Sequence, residues 1–155
     1  MEYYYHFESP VGIVTLAQED NAITLIKTGE RELKGRYEST PLIKETISQL
    51  SEYFAGIRKE FTFPMNPVGT PWQKRVWDCL LQIPYGETRS YKDIAQMAGN
   101  PKAFRAVGLA NNRNPIWIAI PCHRVIGTDG GLTGYGGGLH VKEFLLELER
   151  GERIQ

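Results

Sequence analysis

The apolar residues of this 155-residue chain change their spacing once, and that change constrains the fold more than any other feature. Up to residue 28 they form aromatic and β-branched stretches, YYYHFESPVG, GIVTLAQ and AITLIKT, separated by the turn-like SPVG and EDN. Short runs of this kind, punctuated by turn signals, predict an antiparallel meander. From residue 40 the spacing becomes helical. In TPLIKETISQLSEYFAG, Ile43, Ile47, Leu50 and Phe54 fall on one face, with Thr40 and Pro41 opening the helix and Gly56 closing it. KEFTFPMNPVG supplies one more short extended piece, and its prolines and glycine mark a domain junction near residues 64 to 69.

The rest reads as helices with clear punctuation. TPWQKRVWDCLLQIPYG opens on Thr70, Pro71 and Gln73, the pattern of a capping box, and buries Val76, Leu80 and Ile83. RSYKDIAQMAG is capped by Ser90 and stops at Gly99. NPKAFRAVGLANN follows, with Asn100 as N-cap and Pro101 in the first turn. It should bury Phe104 and Val107 and turn Arg105 outward. Two short helices around a glycine turn predict a helix-turn-helix. The expected fold is therefore α+β. Residues 1–65 form a small antiparallel sheet with a helix, structural in role. Residues 66–155 form a mainly helical domain with a helix-turn-helix and a Pro-Cys-His-Arg segment.

The chain is 41% hydrophobic and 23% charged, which suits a packed core rather than disorder. No apolar run approaches the roughly 18 to 20 residues that span a bilayer, and the N-terminus has no secretory pattern. Two cysteines make neither a disulfide framework nor a zinc site. These features lead us to expect a cytoplasmic, reduced protein with free thiols. The formal net charge is zero, but residues 1–65 carry seven Lys/Arg against ten Asp/Glu, a balance of −3, and residues 66–155 carry eleven against eight, a balance of +3. Between residues 89 and 124, Arg89, Lys92, Lys102, Arg105, Arg113 and Arg124 face a single acid, Asp93. That stretch is either a candidate polyanion-binding face or a basic surface without a partner.

The two cysteines differ in their neighbours. Cys79 lies in an amphipathic helix beside Leu80 and Leu81 and reads as core. Cys122 follows the apolar run IWIAIP and precedes His123 and Arg124. Positive charge lowers a thiol pKa, and a contacting base can take its proton. Those neighbours favour a reactive thiol over a buried hydrophobe. A Cys–His pair needs a third group to orient the imidazole. In HVKEFLLELERG the stripe Val141, Phe144, Leu145 and Leu148 has Glu149 at its edge, either aimed at His123 or solvated like Glu143, Glu147 and Glu152. GTDGGLTGYGGGLH, with seven glycines in fourteen residues, is a loop that either walls a pocket or lies on the surface. It lacks the Gly-Lys-Ser/Thr ending of a phosphate-binding loop.

IPCHRVIG resembles the active-site signature of the O6-alkylguanine-DNA alkyltransferases, also called methylated-DNA–protein-cysteine methyltransferases. PYGETRSYKDIAQMAGNPKAFRAVGLANNRNP and GYGGGLHVKEFLLELE resemble the same family, so the likeness covers about residues 70 to 150. The first 65 residues resemble its variable N-terminal domain only loosely. The resemblance implies a DNA-binding alkyl-acceptor domain that repairs O6-alkylguanine in double-stranded DNA by irreversible single-turnover transfer, with O4-alkylthymine as a candidate second substrate. Cys122 would accept the alkyl group, His123 would be its base through a bridging water, Glu149 would orient the histidine, and Asn114 would brace the turn. Tyr91 and Arg105 would work on the flipped nucleotide, Arg105 as a finger in the stack. Ala106, Gly108, Arg113 and Arg124 would serve DNA binding, with the second helix in the minor groove. Tyr91, Trp117, Val125, Tyr135, Gly136 and Gly137 would line the substrate pocket. Gly136 departs from the Ser common in the family, so a backbone N–H replaces its hydroxyl at O6 or the leaving group is less well stabilised; the change also leaves room for larger alkyl groups. No cofactor, metal, membrane or obligate protein partner is implied, and a monomer is expected. The competing readings are a DNA-binding module without chemistry, which Cys122 opposes, and a cysteine hydrolase, for which the surroundings are wrong.

Overall fold

The structure is a computed structural model, and it describes residues 1–128, 130, 131, 135 and 138–152. The architecture is α+β. Strands β1 (Glu2–Ser9), β2 (Gly12–Glu19) and β3 (Ala22–Thr28) form the expected antiparallel meander, and the two-residue β4 (Arg36–Tyr37) adds to β1 in parallel, giving the order β3-β2-β1-β4. Helix α1 (Pro41–Phe54) packs on this sheet, its first turn capped by the Thr40 hydroxyl, which accepts from the Ile43 N–H at 3.0 Å. The segment after α1 contributes less than a strand: among the described residues Met65 makes a single bridge to Ile23.

Helix α2 (Pro71–Leu80) begins in a complete capping box between Thr70 and Gln73. Its two indoles tie it to the later helix that holds Ala106 and Ala110. Trp77 Nε1–H donates to Ala110 O at 2.9 Å, and Trp72 Nε1–H to Ala106 O at 3.3 Å. The short β5 (Arg89–Ser90) leads into α3 (Tyr91–Met97), where Ser90 and Asp93 make a second capping box. Gly99, at φ 86°, turns the chain in a conformation that suits glycine, and α4 (Phe104–Asn112) packs on α3.

The start of α4 differs from expectation. Asn100 and Pro101 form a separate turn, closed by Ala103 N–H donating to Asn100 O, and the helix begins only at Phe104 behind Ala103, with no side-chain cap. The same cap-then-proline pattern opens α1 and α2, where the Thr40 and Thr70 hydroxyls accept from a backbone N–H of the first turn; among the described residues the Asn100 side chain makes no such bond. The later start also corrects the predicted burial. Val107 is in the core, but Phe104 sits at the open end of the helix and is 38% exposed, with the Lys92 ammonium 5.8 Å from its ring centre.

After a loop, Cys122–Arg124 form one 3-10 turn, β6 (Val125–Ile126) pairs in parallel with β5, and α5 (Leu139–Glu149) completes the chain. One apolar cluster runs through the sheet, α1, α2, α4 and α5, without a break at the sequence junction. Cys79 lies within it.

Candidate active site

The residues before Cys122 are held by a dense set of bonds. Asn114 Nδ2–H donates to Ile120 O at 2.8 Å, and Asn114 Oδ1 accepts from the Ile116 N–H at 3.0 Å. One buried amide therefore closes the loop across six residues. Asn111 Nδ2–H reaches Cys122 O at 3.3 Å. Ile118, between them, has φ 74°, a left-handed conformation that costs a β-branched residue roughly 1–3 kcal/mol and persists only where the surroundings impose it. Pro121 then starts the turn that buries Cys122 and His123.

The Glu149 carboxylate is the centre of the site. It accepts from His123 Nε2 at 2.6 Å, from Tyr53 Oη–H at 2.6 Å, and from Arg124 Nε–H and a terminal N–H at 2.7 and 3.0 Å. The Gly86 N–H adds a longer contact at 3.4 Å. Burial alone would push this carboxyl up, but the charges and hydrogen bonds of His123 and Arg124 outweigh it and hold Glu149 well below the usual carboxylate range. His123 is pushed below its ordinary value by burial, and by the Arg124 and Lys142 charges, against the pull of Glu149. At neutral pH the pair is thus carboxylate and neutral imidazole. The proton on Nε2 faces Glu149, which leaves Nδ1 as the acceptor. That Nδ1 is buried and has no hydrogen-bond partner among the described residues.

Burial pushes the Cys122 thiol up to about 11, while the Asn114 and Tyr135 side chains near it and the charge of Lys142 work the other way. The resting sulfur is a thiol, so a base is needed to make it a nucleophile. Trp117 packs its ring 5.4 Å from that of Tyr135, and the Tyr135 hydroxyl is buried without a hydrogen-bond partner among the described residues. Val125 is fully buried beside this group. Gly136 and Gly137 lie outside the described residues.

The structure thus brings Cys122, His123, Glu149, Asn114, Trp117, Val125 and Tyr135 into one buried region. Arg105 and Arg113 are exposed on and just after α4, and Ala106 and Gly108 are partly exposed. A Cβ on Gly108 would touch the Tyr91 ring at 3.8 Å, so the small residue brings α4 against Tyr91. Arg124 is a correction. It is not on the DNA-facing surface: its guanidinium is buried, paired with Glu149 and donating to Ile83 O at 2.7 Å. Sequence reasoning missed Tyr53 and Lys142. Lys142 is fully buried, its Nζ–H donates to Val125 O at 2.5 Å, and burial pulls it down to about 8. Its signal was present: it lies seven residues before Glu149, on the same face of α5. Among the described residues, no His, Cys, Asp and Glu group has metal-binding geometry, and no helix is long and apolar enough to cross a membrane.

A short helix pair with exposed arginines beside a buried Cys–His–Glu array is the arrangement of a protein class that pairs a polyanion-binding face with a cysteine. Comparison with known proteins names the family. Residues 71–151 match the 6-O-methylguanine DNA methyltransferase DNA-binding domain, and residues 2–67 match the ribonuclease-like domain of the same proteins. The chain belongs to the methylated-DNA–protein-cysteine methyltransferase family. It is 51% identical to the protein of that name from Methanosarcina acetivorans over 95% of this chain and 97% of the relative. It is 46% identical to the constitutive protein of that name from Bacillus subtilis, covering 97% and 96%. The crystal structure of Mycobacterium tuberculosis O6-methylguanine methyltransferase superposes with a TM-score of 0.90 at 45% identity, over 99% of this chain and 95% of that one. The same organism's protein in complex with DNA gives 0.92 at 46% identity, over 98% and 95%.

Proposed function

We propose that this chain repairs O6-alkylguanine in double-stranded DNA by moving the alkyl group to Cys122, once per molecule. The observation that carries the reading is a buried thiol in the turn that also holds His123, whose Nε2 is fixed on Glu149 and whose Nδ1 has no hydrogen-bond partner among the described residues. His123 Nδ1 takes the thiol proton through a bridging water. Glu149 holds the imidazole in the right tautomer and stabilises the imidazolium that forms. The thiolate attacks the alkyl carbon in line with the C–O6 bond. The electron pair of that bond leaves on guanine, where hydrogen-bond donors stabilise the developing charge. The thioether product has no route back to the thiol.

The alkyl carbon is out of reach in a stacked duplex, so the nucleotide must turn out of the helix at a cost of a few kcal/mol. Arg105 on α4 fills the gap and Arg113 contacts phosphates; the exposure of both side chains supports these roles. Tyr91, the first residue of α3, packs against α4 at Gly108, and in this reading the flipped guanine passes it. Such contacts read backbone and groove shape rather than sequence, as repair of arbitrary sites requires.

The test is the mass of the intact chain after incubation with duplex DNA containing O6-methylguanine. The expected gain is one methyl, on Cys122, saturating at one per molecule and absent in Cys122→Ser. Unmodified protein after stoichiometric exposure refutes the transfer. Turnover with an unmodified cysteine indicates a hydrolase instead.

A further inference from the structure

The N-terminal sheet reaches the acceptor region with two side chains that the reading above leaves unused. The edge of β3 is hydrogen bonded to the segment carrying Trp117: Ile26 N–H donates to Pro115 O at 2.9 Å, and Trp117 N–H to Ile26 O at 2.8 Å. This pairing fixes the next residue, Lys27, with Nζ 5.7 Å from the centre of the Trp117 indole. Arg31, just beyond the strand, places its guanidinium carbon 5.9 Å from the same ring. The indole cannot swing away, because its Nε1–H donates to Asn114 O at 2.8 Å and its ring packs on Tyr135. Two cations therefore share one aromatic wall beside Cys122, and the Lys27 ammonium lies close enough to interact with the charge of that sulfur.

The pair is unfavourable as it stands. Both side chains are partly buried, and no carboxylate among the described residues lies within ion-pair distance of either. Arg31 donates one terminal N–H to Thr28 O at 3.1 Å, but its Nε is buried without a partner among the described residues. Burial, and then the charge of Arg31, hold Lys27 below the ordinary lysine value. Two like charges, partly desolvated and side by side, oppose the folded state until a counter-charge arrives.

We propose that Lys27 and Arg31 form a carboxylate-recognising wall of the acceptor pocket, fitting this chain to O6 groups that carry an acid next to the transferred carbon, such as carboxymethyl. The proposal rests on the alkyl-transfer reading and deepens it. A thiolate approaching a carbon next to a carboxylate meets like charge, and cations beside the path lower that repulsion. A carboxylate one bond beyond the attacked carbon would meet the two cations held on the Trp117 ring. The step balances without a further reactant. The S–C bond forms, the C–O6 bond breaks with its electron pair going to guanine, and the thiol proton ends on the guanine. The products are S-carboxymethylcysteine and unmodified guanine.

The experiment measures single-turnover rates on two duplexes that differ only in O6-methyl or O6-carboxymethyl, with the adduct on Cys122 identified by intact mass. Wild type should form both adducts. In Lys27→Met and in Arg31→Met the ratio of carboxymethyl to methyl rate should fall about tenfold, the scale of losing one partly screened charge contact. Lys27→Arg should restore the ratio. A variant that is merely less stable slows both reactions and leaves the ratio alone. Methyl transfer by wild type without carboxymethyl transfer, or an unchanged ratio in both variants, overturns this proposal and spares the transfer reading. Failure of wild type on both duplexes overturns both.

Discussion

The Glu149 carboxylate takes hydrogen bonds from Tyr53, His123 and Arg124 in a place nearly closed to water. Removing its charge would leave the Arg124 guanidinium buried and unpaired, which costs about 3–5 kcal/mol. Glu149→Gln should therefore lose about that much stability in urea unfolding at neutral pH, and should also slow methyl transfer, because His123 loses the anion that fixes its tautomer. Loss of activity with stability unchanged would show that the carboxylate does not hold Arg124. The same groups set a pH dependence. His123 is held below its ordinary value of 6.5 in the fold, so as pH falls through 6.5 the unfolded chain takes up that proton first and stability drops. Glu149 is held below its ordinary 4.5, so its contribution is present above 4.5 and is lost as pH falls further. Both act in one direction. Unfolding midpoints measured from pH 8 to pH 4 should fall on the acid side, starting near 6.5, and a level profile would remove this account of the pair.

The elements that the sequence made legible are those whose signals are local. Thr70 with Gln73, and Ser90 with Asp93, bond within four residues, so the starts of α2 and α3 read directly from the chain. The turn holding Cys122 was legible for a similar reason, with proline, cysteine and histidine adjacent in sequence. The start of α4 was not, because Asn100 and Pro101 imitate a helix opening while the chain spends them on a separate turn. Arg124 was misplaced because only its partner, 25 residues away on α5, tells that the charge is buried. Glu149 sat visibly at the edge of an apolar stripe, but Tyr53, its donor from 96 residues away, carried no sign of that role. α4 itself presents Arg105 to solvent, with Leu109, 69% exposed, one turn further on. An apolar side chain on the same exposed flank suits a groove rather than water. Arg105→Ala should slow repair of duplex DNA by about tenfold or more, the cost of leaving an extruded nucleotide's gap unfilled. Reaction with a free O6-benzylguanine base, which needs no flipping, should change far less. Equal slowing of both reactions would remove Arg105 from the flipping step.

At the scale of the whole molecule, the sheet and the acceptor turn are one mechanical unit. β3 pairs with the segment ahead of Cys122, α1 supplies Tyr53 to Glu149, and a single apolar cluster spans both parts. Tyr53 tests whether this coupling serves the chemistry. Its hydroxyl is pushed well above the ordinary tyrosine value, first by burial and then by the Glu149 charge, so it stays a donor at every working pH. Tyr53→Phe keeps the ring in the core and removes only that hydrogen bond. A hydrogen bond to a charged group contributes about 1.5–3 kcal/mol, so the variant should unfold at lower urea by that amount. Arg124 and His123 still hold Glu149, so methyl transfer should slow less than in Glu149→Gln. The informative quantity is the pH profile of the transfer rate. Fewer donors on Glu149 make it a stronger acceptor toward His123 and raise the imidazole pKa, so the acid limb of the rate should move to higher pH. A stability loss with the acid limb in place would mean that Tyr53 joins α1 to α5 without tuning the base.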